Sequence, residues 1–165
     1  MIELQDLVKH FGDLAAVDHL DLTVRSGEFF CVLGPNAAGK TTTIKMIVGL
    51  IRPTSGTIRV CGMDVQEQPV EVRRRMAYVP DFPFLYDKLT PMEFFRFTGR
   101  LFGMEEAQMD QRTQELIPRF SLDPYLDLTI ESLSHGTRQR IAIVSALMHS
   151  PDVFVLDEPM VGLDP

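Results

Sequence analysis

The string GPNAAGKT, comprising Gly34, Pro35, Asn36, Ala37, Ala38, Gly39, Lys40 and Thr41, fills the pattern GxxxxGK[ST]. Residues of these types at this spacing form a cradle for phosphate. Successive backbone N–H groups wrap the phosphate oxygens, and a helix that starts at the second glycine adds the positive end of its dipole. Lys40 then reaches the terminal phosphates, and the Thr41 hydroxyl ligates Mg²⁺. The plainer alternative is a glycine-bearing turn with no ligand. An apolar run just before the motif and a helical pattern just after it supply the context that the phosphate reading needs.

A second constellation lies at residues 153–159, VFVLDEP. Its apolar run reads as a buried strand that delivers Asp157 and Glu158 to its carboxyl end, where ligands of parallel sheets bind. Asp157 is expected to hold Mg²⁺, through water, and Glu158 to act as the base that polarises an attacking water. A strand ending in an acidic turn is ordinary when it stands alone, so the metal reading depends on the phosphate loop beside it. The third constellation is LSHGTRQR at residues 133–140. A serine and a glycine at a helix start can donate hydrogen bonds to an anion, whereas the plainer role of Ser134 is a helix N-cap.

These groups need elements to place them. Residues 2–24 alternate apolar and polar positions on either side of an HFGD turn and read as an antiparallel ribbon. Residues 28–33 (EFFCVL) form a short apolar run that ends in Gly34 and Pro35, the profile of a buried parallel strand, and a helix is expected over residues 39–50. After the turn at 53–56 come a short strand, TIRV, and then RRRMAYVP, a basic helix end passing into another buried strand. Residues 90–120 are helical in pattern; Thr90 can cap, Pro91 sits at the first helical position, and Glu93 can close a capping box. Residues 136–148 form a further amphipathic helix. The pattern predicts an α/β fold with a helical subdomain inserted into the core.

Composition limits the alternatives. With 165 residues, 45% of them hydrophobic, the chain can bury a core without disulfides or a structural metal. Cys31 and Cys61 lack CxxC spacing and are expected to be small buried side chains. A net charge of −7 opposes sequence-independent binding of nucleic acid, where phosphate neutralisation dominates. No apolar run approaches the roughly 20 residues that span a bilayer, so any link to a membrane is expected to pass through a partner and not through direct insertion.

In order and spacing, LSHGTRQR followed by a helix, the DEP strand and the closing GLDP resembles the signature motif, Walker B strand and D-loop of ABC ATPases. The likeness extends over essentially the whole chain. It implies a P-loop NTPase core with a mixed or parallel sheet, an N-terminal antiparallel β ribbon and an inserted helical subdomain. The core would take residues 1–80 and 150–165 and the subdomain residues 81–149. The resemblance also implies an ATPase that powers an ABC transporter, with ATP and Mg²⁺ as cofactors and ATP held between two domains packed head to tail, as a homo- or heterodimer. Lys40, Thr41, Thr42, Asp157 and Glu158 of one copy would then face Ser134, His135, Gly136, Thr137 and Asp164 of the other. Phe11 stands where the family stacks an aromatic on adenine. A core phenylalanine is the alternative there. The same likeness implies a membrane permease as partner and a cytoplasmic position on the inner face of the membrane.

Departures from the family pattern carry expectations too. Ala37 replaces a frequent glycine, so a left-handed backbone there would be strained. Asp81 takes the place of the Q-loop glutamine and can bind the metal at the cost of extra negative charge near Asp157. His135 replaces the middle glycine of the signature, and its ring either reaches phosphate or, the reading favoured for a lone histidine, points to solvent, while His10, His19 and His149 have no ligand-like spacing. The SHG signature with an acidic Q-loop looks like the exporter branch associated with ABC-2 permeases. Family members continue through a later strand that is expected to insert between the strands leading to Lys40 and Asp157; a fragment without it is expected to hydrolyse ATP poorly or not at all. Phe82, Phe84 and Tyr86 are candidates for the permease interface, though most aromatics and methionines of residues 82–104 are expected to be subdomain core. Two other classes compete. A soluble ABC ATPase of DNA repair or the ribosome usually carries tandem cassettes or a long coiled coil, and a P-loop kinase or GTPase lacks the signature motif.

Overall fold

The computed structural model describes residues 1–157, which fall into two compact units that divide after Met76. In the first, β1 (Ile2–Phe11) and β2 (Leu14–Val24) form the expected antiparallel ribbon, closed at Phe11↔Leu14. The other edge of β1 pairs antiparallel with β3 (Ser55–Val60), and β3 with the short β4 (Met63–Asp64), giving the order β2-β1-β3-β4. Leu4 and Leu7 are both buried although three residues apart, which an unbroken strand would place on opposite faces. Asp6, at φ 49°, bulges between them, and His19, at φ 46°, bulges from β2. The two side chains meet, His19 Nδ1 to Asp6 Oδ1 at 2.5 Å. That hydrogen bond and the Asp6 charge raise the His19 pKa.

α1 (Lys40–Ile47) buries Thr43, Met46 and Ile47, and α2 (Pro69–Arg75) buries Val72. Helix α1 stops short of the expected residue 50 because the chain turns left-handed at Gly49, φ 71°, where a Cβ would lie 3.2 Å from Val65.

The expected buried strand at residues 28–33 does not form. Phe29 is 94% exposed, and Phe30, Val32 and Leu33 are exposed with it. A parallel strand is an interior element held by a neighbour's ladder on each edge, and among the described residues none pairs with this segment. Cys31 is therefore exposed, and Cys61, in the turn between β3 and β4 at φ 51°, is only half-buried, contrary to the expectation that both are buried.

In the second unit, β5 (Met76–Val79) and β6 (Val153–Leu156) form a two-stranded parallel sheet, extended by Asp157 N–H donating to the Val79 carbonyl at 3.0 Å. The helical stretch divides at Gly103 (φ 71°) into α3 (Pro91–Leu101) and α4 (Glu106–Arg119). The Thr90–Glu93 capping box is present, with Pro91 at the first turn. Gly99 lets the two helices approach, since a Cβ there would meet Met109 Sδ at 2.4 Å. α5 (His135–Leu147) completes the unit, whose core includes Phe94, Phe95, Met109, Leu116, Ile130 and Ile141. Of the aromatics and methionines of residues 82–104, Phe94 and Phe95 are core and Met92 and Met104 pack against it, whereas Phe82, Phe84, Tyr86, Phe97 and Phe102 are exposed, so the expectation that most are core is not met.

Candidate nucleotide-binding site

The phosphate loop belongs to the first unit. Gly39, at φ 81°, is the N-cap of α1, and a Cβ there would stand 2.3 Å from the Ala16 carbonyl oxygen, so the ribbon leaves room only for glycine. Thr43 N–H donates to the Gly39 carbonyl at 2.8 Å and opens the helix. Lys40 turns back over the loop and donates to the carbonyls of Gly34 and Pro35, each at 2.8 Å. Its ammonium is held by two neutral carbonyls, and an anionic phosphate oxygen would add an ion–ion attraction that a neutral carbonyl lacks. Ala37 takes φ 65°, the strained conformation that its replacement of glycine made a concern. Asn36, Ala37 and Ala38 are exposed, as a ligand-facing loop requires, and Thr41 and Thr42 are half-buried at the start of α1. Phe11, at the end of β1, is 51% exposed and therefore not a core side chain; Lys9 Nζ lies 5.0 Å from its ring centroid.

The carboxylates belong to the second unit. Asp157 follows β6 and is 6% exposed. It shares a hydrogen bond with Tyr78 of β5, and burial, then the charges of Asp157 and Asp81, push the Tyr78 phenol above its ordinary value. The phenol therefore stays protonated and donates. Sequence reasoning missed Tyr78; the available signal was a tyrosine inside the buried run MAYV, since a buried phenol hydroxyl needs a partner. Asp81 Oδ1 is buried with no hydrogen-bond partner. A dry, unpaired carboxylate oxygen is costly, and a cation relieves the cost. Asp81 and Asp157 of the second unit, and Thr41 of the first, are each hard oxygen donors of the kind Mg²⁺ takes, an ion that keeps several waters and substrate oxygens and so needs few protein ligands. Among the described residues, no group of three or more His, Cys, Asp or Glu is placed to hold a metal ion.

At the signature turn, Ser134 is the N-cap of α5: its Oγ accepts from Thr137 N–H at 3.3 Å and lies 3.0 Å from Thr137 Oγ1. Ser134 and His135 are exposed, Gly136 is half-buried, and Thr137 is buried with its hydroxyl accepting from Arg140 at 3.1 Å. Glu158 and Asp164 lie outside the described residues. Three groupings are thus assembled: Lys40 with Gly34 and Pro35, Tyr78 with Asp81 and Asp157, and Ser134 with Thr137.

A glycine-rich loop opening a helix, its lysine folded into the cradle, and a buried aspartate at a strand end define a P-loop nucleotide-binding protein of the α/β class. The family model described as "ABC transporter" matches residues 17–161. The chain belongs to the ABC transporter ATP-binding family. It is 39% identical over its whole length to Nod factor export ATP-binding protein I of Cupriavidus metallidurans, covering 54% of that protein. Over 99% of its length it is 42% identical to the daunorubicin/doxorubicin resistance ATP-binding protein DrrA of Streptomyces peucetius, covering 50% of that protein. It is 38% identical to the ABC transporter ATP-binding protein NatA of Bacillus subtilis, covering 69% of it. A solved structure titled "Structure of ATP binding subunit of ABC transporter" superposes with a TM-score of 0.92 at 34% identity, over all of this chain and 69% of that one. The chain thus spans about half the length of the first two relatives, and all those named stand on the transporter side of the alternatives weighed above. Among the described residues, no helix is long and apolar enough to cross a membrane.

Proposed function

We propose that this chain binds and hydrolyses ATP to drive an ABC exporter, acting from the cytoplasmic face through a membrane permease. The observation that carries this reading is the Lys40 ammonium, held at the mouth of its loop by the Gly34 and Pro35 carbonyls and ready to exchange them for phosphate. The backbone N–H groups of residues 34–39, Pro35 excepted, face the phosphates, Thr42 supports the loop from the first turn of α1, and Phe11 offers an exposed ring to the adenine. Thr41, Asp81 and Asp157 would hold Mg²⁺, which supplies charge neutralisation at the terminal phosphates. Tyr78 orients Asp157 by its hydrogen bond. Glu158 accepts a proton from the attacking water as the bond to the terminal phosphorus forms and the bond to the ADP oxygen breaks, releasing ADP and phosphate.

A second copy or a homologous chain would complete the site from Ser134, His135, Gly136, Thr137 and Asp164. Phe82 and Phe84 are exposed in the loop after β5 and offer an apolar surface for the permease. The export direction is supported by the names of two relatives, one an export protein and one a drug-resistance protein. Titration of the protein with a fluorescent ATP analogue in Mg²⁺ tests the reading. Lys40→Ala should weaken binding at least tenfold, about 1.4 kcal/mol or more, with an unchanged melting temperature. Equal affinity in the two proteins would reject the cradle.

A further inference from the structure

The loop that follows β5 is fastened to the amino end of α5 by side chains and backbone together. Arg138 Nη2 donates to Asp87 Oδ1 at 2.6 Å, and its Nη1 to the Ile130 carbonyl at 3.4 Å. Lys88 Nζ donates to both carboxylate oxygens of Glu131, at 2.9 and 2.7 Å. Beneath these, Glu131 N–H donates to the Asp87 carbonyl at 3.0 Å and Ile130 N–H to the Leu89 carbonyl at 2.9 Å. Arg138 also donates its own amide to the Ser134 carbonyl at 2.9 Å. One residue therefore joins the Ser134 turn to the loop.

The two ion pairs differ in worth. Lys88 and Glu131 side chains are 83% and 44% exposed, so solvent screens them and the pair contributes little. Arg138 and Asp87 are 29% and 52% exposed, and the second bond to Ile130 fixes the guanidinium plane. On its other side the loop is anchored by Tyr86, whose ring meets Phe97 edge-on at 5.2 Å and Phe94 at 6.1 Å. The exposed rings of Phe82 and Phe84 precede that anchor.

We propose that Asp87 and Arg138 are positioning residues that lock the aromatic loop and the Ser134 turn into one piece, so that the loop sets where the turn meets the nucleotide on a second copy. This rests on the ATPase reading above. No group of this pair touches the nucleotide in that reading, so the pair acts through Ser134 alone.

The test compares the full chain with Asp87→Asn, Arg138→Gln, the exchange Asp87→Arg with Arg138→Asp, and Lys88→Gln. Three quantities are read: affinity for a fluorescent ATP analogue, ATP turnover against protein concentration, and hydrogen exchange of residues 134–140. Each single change at Asp87 or Arg138 should lower kcat about fivefold and speed exchange at the turn, with nucleotide affinity held within about twofold. The exchanged pair should recover at least half of the lost rate, and Lys88→Gln should stay within about twofold of the parent. Single variants with parental kcat and exchange would overturn the clasp, as would loss of rate, affinity and melting temperature together, which marks a folding role. If the parent itself fails to bind ATP, the ATPase reading fails and the clasp falls with it; a parent that binds ATP while the variants match it in exchange at the turn, and in whatever turnover it shows, condemns the clasp alone.

Discussion

Ala37 shows how a single residue can be read two ways. Its φ of 65° costs an alanine roughly 1–2 kcal/mol, whereas a glycine there would lose roughly 0.5–1 kcal/mol in chain entropy on folding. The strain is the larger quantity. Ala37→Gly should therefore stabilise the protein by about 0.5 kcal/mol in equilibrium denaturation, and a destabilised variant would show that the alanine methyl makes compensating contacts. Lys40, Gly39 and Ala37 were legible in the sequence because the eight-residue motif fixes a local backbone shape. Tyr78 was not, because its partner Asp157 lies far along the chain and only the pairing of β5 with β6 brings them together. The same distance hid Arg138 and Asp87, which are 51 residues apart.

Among the elements, the expected buried strands β5 and β6 formed and pair with each other although they lie far apart in the chain, whereas the strand expected at residues 28–33 did not form. The start of α3 is local: Thr90 Oγ1 accepts from Glu93 N–H at 3.3 Å, and Glu93 Oε2 accepts from Thr90 N–H at 2.8 Å. Thr90→Ala should cost about 1 kcal/mol in the same denaturation measurement, with Thr90→Ser close to the parent; a neutral alanine would mean that Pro91 and packing alone fix the helix start. Residues 28–33 carry the apolar content of a buried strand, yet strand formation needs a neighbour's ladder and the sequence of the segment cannot supply one. The division of residues 90–120 into two helices follows from Gly103, a signal that was present but unweighted.

At the scale of the whole molecule, a net charge of −7 competes with the exposed apolar segment around Phe29. Repulsion fades as pH approaches the sequence pI of about 5.0, leaving the exposed rings unopposed. Solubility should reach its minimum near that pH, and Phe29→Asp should raise it while reducing the binding of an apolar fluorescent dye; unchanged dye binding would locate the sticky surface elsewhere. The ribbon imposes a different constraint on the first unit. From Leu4 to Lys9 β1 advances five residues, and from Leu22 to Val17 β2 also covers five, because the extra residue at Asp6 is balanced by the one at His19. Shortening either strand alone at that place would slide everything beyond it by a single step and turn Leu7 or its neighbours toward water. A change of length there is therefore tolerated in tandem, or where another bulge absorbs it as the unmatched one between Lys9 and His10 already does, so the hairpin keeps its faces by offsetting irregularities instead of by regularity.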